Sequence, residues 1–158
     1  MFEALLLVLA QASAAPDDQP DNPLATAWPG VVCDQDAADS GDQNAMTMCA
    51  YQDMAAADEE MAQAYQRART MMLRLDLQIA ESEPDSAYNI LPGHYETLIS
   101  ADLAWTTYRE DHCALASFRL RGGSAAALAL FGCKAEMARE RTQQLRELVE
   151  TLSPKGRH

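Results

Sequence analysis

Between Met46 and Ile79 the chain repeats apolar or small residues at Met46, Ala50, Met54, Ala57, Met61, Tyr65, Ala68, Met72, Leu75 and Ile79, with every step three or four. That spacing returns to one face of an α-helix at each turn, whereas a strand alternates with period two. A helix this long cannot bury its stripe alone and needs partner helices. Asn44 is a suitable N-cap, and Pro84 stops the helix after about Ser82. A second helix is expected from Pro92 to about Leu120, with Leu98, Asp102, Trp105, Arg109 and Ala116 on its inner stripe. A third starts after Gly122-Gly123, capped by Ser124, and ends before Pro154; Met137, Leu145, Leu148 and Leu152 line its inner face. The expected fold is all-α, a small antiparallel three-helix bundle with a long first helix. The length of 158 residues allows one such domain, and the low aromatic content of 6% agrees with helix over sheet.

The N-terminus reads differently. Ala4 to Ala10 is an apolar run too short to span a bilayer, and Ala12-Ser13-Ala14 fits a small-residue cleavage site. The segment before the run carries Glu3 and no Lys or Arg, a departure from the usual signal. Residues 1–14 are therefore expected to be a signal peptide cleaved after Ala14, directing the protein to the periplasm or outside the cell. Residues 15–43 hold four prolines and seven aspartates without a single Lys or Arg, and read as a largely disordered acidic leader. Residues 44–152 are the helical domain and residues 153–158 a tail.

Export gives the four cysteines a meaning. Cys49 begins the first helix, Cys113 is late in the second, Cys133 is early in the third, and Cys33 enters at the same end of an up-down-up bundle. Three pairings are open; the local ones, Cys33–Cys49 and Cys113–Cys133, each close a short loop beside a helix end and are the expected two disulfides. Each is worth on the order of 3 kcal/mol in the chain-entropy model. The spacings lack the close pairs of a zinc site, so no metal is expected.

No catalytic motif is present: there is no P-loop, no dinucleotide fingerprint, no H-E-x-x-H and no G-x-S-x-G. Neither His94 nor His112 has a nucleophile at useful spacing, and the Glu59-Glu60 pair reads as a solvated helix face. The protein is expected not to be an enzyme and to need no cofactor. The inner stripe of the second helix is more informative. Arg109 inside a bundle requires a carboxylate, which Asp58 or Asp102 is placed to supply. A structural pair that fixes helix register is preferred there over a ligand site.

Three stretches together resemble one known family. Cys33 with Met48-Cys49-Ala50 and Ala57-Asp58-Glu59-Glu60-Met61 to Tyr65 resembles the start of the LprI-like lysozyme inhibitors. Leu98, Ala104-Trp105, Tyr108-Arg109 and Cys113 resemble its centre. Gly122-Gly123-Ser124, Cys133, Arg141 and Leu145 resemble its close. Asp102 stands where the family usually has Gln, and Ala62 where it often has Asn. The resemblance implies an exported helical protein, with Asp58, Tyr65, Asp102, Trp105, Tyr108, Arg109 and Arg141 as its structural motif, and lysozyme inhibition as its function. Shared motifs argue fold more than function.

Charge sharpens the expected partner. The formal net charge is −12, which excludes nucleic acid and anionic membranes as partners. The charge is one-sided: residues 15–65 contain eleven acids and no base, while residues 66–158 contain twelve of each. A monomer is expected to meet a basic protein partner, lysozyme on the family resemblance, through its acidic half, with Asp58, Glu59 and Glu60 as contacts. A loop, Glu83–Leu91 or Arg119–Ser124, would then block the cleft, the second by presenting Arg119 and Arg121 to glycosidase carboxylates. The alternatives are an envelope adaptor without lysozyme activity and a small-ligand or metal binder using the Asp58, Asp102 and Arg109 region.

Overall fold

The computed structural model describes residues 32–84 and 92–153. The expected signal segment, its cleavage site, the leader through residue 31, residues 85–91 of the first loop and the tail from Pro154 lie outside the described residues. The chain divides between Val31 and Val32, and every described residue belongs to the second unit.

A five-residue helix, α1 (Gln35–Asp39), occupies part of the stretch that composition reads as leader. Asp34 caps it by accepting from the Ala37 N–H at 2.9 Å. Gly41, at φ 93°, then turns the chain into α2 (Gln43–Ser82). The cap of α2 is Asp42, which accepts from the Ala45 N–H, and not Asn44. The glycine turn brings the aspartate into the extended conformation that a capping side chain requires, two residues before the expected cap. At 40 residues α2 is about 60 Å long. Pro84 follows its end as expected.

The second long helix, α3 (His94–Ser117), begins two residues after Pro92. Its first amides are capped from another element: the Asp76 carboxylate of α2 accepts from the N–H groups of His94 and Tyr95, both at 2.9 Å. Gly93 precedes them because a Cβ there would lie 2.6 Å from Asp76 Oδ2. After Ser117 the helix tightens into a 3₁₀ turn, Phe118–Leu120, and Gly122 at φ 84° reverses the chain into α4 (Ala125–Leu152). Ser124 makes no capping bond; its backbone is already helical, so its hydroxyl cannot reach forward to the first amides.

The long helices form the expected antiparallel bundle, with α2 packed chiefly on α4 and α3 laid against both. Alanines permit the close approach: Ala57, Ala64 and Ala68 of α2 and Ala135 and Ala138 of α4 are all buried. Of the expected α2 stripe, Met54, Ala57, Ala68 and Met72 are buried and the other six are half-buried. Ala64 and Met71 widen it. On α3 the inward series is Leu98, Asp102, Trp105, Arg109 and Cys113. Ala116 is exposed, because the half-buried Ser117 takes the next inward place before the chain turns away. On α4 Phe131, Ala135, Ala138, Thr142 and Leu145 face the core, while Leu148 stays 36% exposed at the rim.

Both local cysteine pairs are present, with Cα–Cα distances of 4.6 Å for Cys33–Cys49 and 5.6 Å for Cys113–Cys133. They lie at the same end of the bundle, together with α1 and the 118–124 turn. No described helix is long and apolar enough to cross a membrane.

Candidate functional site

A seam of charged side chains runs between the helices. Arg109, 6% exposed, donates from Nη2 to Asp58 Oδ1 at 2.6 Å and to the Lys134 carbonyl at 3.0 Å. Of the two carboxylates that sequence places within reach, Asp58 is therefore the partner. Burial pushes the Asp58 carboxyl up, and the Arg109 charge and hydrogen bond pull it partly back. Asp102 belongs to Arg141, with 3.7 Å between Oδ1 and Nη2. Burial pushes Asp102 up as well, against the pull of Arg141. Trp105 joins the two pairs: the Arg109 and Arg141 guanidinium carbons lie 5.5 and 5.7 Å from its ring centre, within cation–π range. Tyr65 packs on the core beside this seam, its hydroxyl pushed up by burial and by the Asp102 charge. Tyr108 instead is 57% exposed, with its hydroxyl 3.4 Å from His112 Nδ1.

Most of these groups hold one another; a different surface is displayed at the cysteine-stapled end. There α3 passes into the 118–124 turn. Leu115 is 64% exposed, and Phe118 and Leu120 are each 42% exposed. Arg119 and Arg121 are exposed, form no ion pair with a described residue, and interleave with these apolar side chains. The Arg121 guanidinium lies 3.4 Å from the Phe118 ring centre. The Cys113–Cys133 bridge ties the helices on either side of the turn. Contiguous exposed apolar side chains are a feature of contact sites.

The same end carries the exposed Asp34, Asp36, Asp39 and Asp42 around α1. Farther along α2, Glu59 accepts from Gln63 and Glu60 lies 3.6 Å from Arg146, both exposed. Asp58 is turned to Arg109, so the Asp58-Glu59-Glu60 run is split between the interior and the surface. Lys134–Glu110 and Arg139–Asp53 add ion pairs across helices. Sequence reading passed over Leu115, Phe118 and Leu120, because an apolar residue near a helix end reads as core. The Phe118-Arg-Leu-Arg run before Gly122-Gly123 is the signal that would have found them. Among the described residues no cluster of three or more His, Cys, Asp or Glu is arranged to hold a metal.

A family model described as lysozyme inhibitor LprI matches residues 33–145. An uncharacterized protein of Rhizobium meliloti (strain 1021) is 39% identical over 106 residues, which cover 67% of this chain and 73% of that protein. No solved structure matches the chain.

Proposed function

The chain belongs to the LprI family of lysozyme inhibitors, and from that premise we propose that it acts outside the cytoplasm by docking on a cationic lysozyme and closing its cleft with the 118–124 turn. The observation that carries this reading is the display of Arg119 and Arg121 interleaved with exposed Phe118 and Leu120, on a turn braced by a cystine. A glycosidase cleft presents two carboxylates flanked by surfaces that bind sugar rings. A guanidinium offers such carboxylates a fork of donors, and flanking apolar groups cover the sugar-binding walls. The acidic residues around α1, with Glu59 and Glu60, supply long-range attraction to a basic enzyme and raise the encounter rate.

The test is a turbidity assay with purified protein and a cationic lysozyme at low salt. Inhibition at a tenfold molar excess is expected. Exchange of Arg119 and Arg121 for Glu is expected to abolish it without altering the helical circular dichroism. No inhibition by the wild-type protein overturns the reading, and a non-lysozyme partner recovered by pull-down would favour the adaptor alternative.

A further inference from the structure

At the opposite end from the cystines, the C-terminal half of α2, the first turns of α3 and the last turns of α4 enclose a groove of about 1240 Å³. Its walls include Met72, Ile79, Leu98, Ala101, Leu148 and Leu152. Small-molecule sites commonly occupy about 300–1,000 Å³ and combine apolar walls with few polar anchors. Among the described residues this groove is open on one side.

Arg141 is among the lining residues; its side chain is only 14% exposed, beside Asp102 and over the Trp105 ring. Its five donors are poorly committed. Nη1 reaches Gln144 Oε1 at 3.3 Å, Nη2 is 3.7 Å from Asp102, and Nε is buried without a partner among the described residues. Arg69 and Arg109 also keep a buried Nε without a partner. Each of those, however, places a short bond at its fork, Arg69 to the Tyr95 hydroxyl at 2.7 Å and Arg109 to Asp58 at 2.6 Å, and neither lines the groove. Among the acids of the wall, Asp76 is already occupied by His94 and Tyr95, and Glu83 and Glu96 are both exposed to solvent.

A planar guanidinium with donors to spare, set in an apolar wall, matches a carboxylate carried on an alkyl chain. We propose that this groove binds a long-chain carboxylate, with its alkyl chain along Met72, Leu98, Leu148 and Leu152 and its head on Arg141. The site is independent of the 118–124 turn and of the lysozyme reading.

The full chain is titrated by calorimetry with dodecanoate, dodecanol and dodecyltrimethylammonium, the two ions below their micellar concentrations and the alcohol below its solubility limit. Saturable binding of dodecanoate, about tenfold tighter than dodecanol and tighter still than the cation, is expected. Arg141→Met is expected to erase the preference for the acid. Leu148→Glu, at a rim position that tolerates polarity, is expected to weaken dodecanoate about tenfold with circular dichroism and lysozyme inhibition unchanged. Absence of saturable binding, equal affinity for acid and alcohol, or wild-type affinity in Leu148→Glu overturns the proposal.

Discussion

At the scale of single residues, the Asp58–Arg109 pair shows how a buried charge is tolerated. Arg109 is almost fully enclosed, and one carboxylate, one carbonyl and the Trp105 face replace its hydration. Removing one partner is costlier than removing both, because it strands the other. Asp58→Ala is therefore expected to lose about 3 kcal/mol in urea unfolding at neutral pH, with Asp58→Ala/Arg109→Met recovering a substantial part in a double-mutant cycle. That Arg109 needs a carboxylate was legible in sequence, from a cation on an apolar stripe. Which carboxylate serves it was not. Asp58 and Asp102 are both within a turn of the stripe, and only the packing of α4, which brings Arg141 to Asp102, decides the assignment.

At the scale of elements, the three long helices follow from periodicity and from Pro and Gly punctuation, and the cystine pairing follows from the ends those helices share. The start of α3 does not. Its cap is a side chain nearly twenty positions upstream on another helix, and no local pattern encodes such a contact. Burial pushes the Asp76 carboxyl up, but the Tyr95 amide and the His94 side chain and amide together outweigh it and hold it below the usual range. A carboxyl depressed in the folded state adds stability above its unfolded pKa, and that contribution disappears as pH falls through the folded value. Asp76→Ala is expected to cost about 1–2 kcal/mol at neutral pH, with the gap from wild type closing below about pH 4 in urea titrations. Gly93→Ala places a methyl group against the same carboxylate. It is expected to lower stability by about 1–3 kcal/mol, read from the thermal midpoint, and Asp76→Ala in the same chain should relieve most of it.

At the scale of the whole molecule, charge and covalent bracing are concentrated at one end. The aspartates around α1, both cystines and the 118–124 turn are found there, and the open groove lies at the other. Docking driven by such a one-sided field is expected to lose on-rate steeply with added salt. Stopped-flow association with a cationic lysozyme at 50 and 500 mM NaCl should show a fall of about tenfold or more in the on-rate, with a much smaller change in off-rate. Replacing Cys113 and Cys133 by Ser is expected to cost about 3 kcal/mol in unfolding and to weaken inhibition, because the turn loses its brace.

The order of the bridges carries a consequence for how the protein is made. First cysteine pairs with second and third with fourth, so the two covalent loops lie end to end along the chain, and neither encloses the other. For a chain that emerges from a membrane channel N-terminus first, each thiol would meet its native partner before the next pair arrives. A thiol oxidase working in that order would reach the native pairing without the help of a disulfide isomerase.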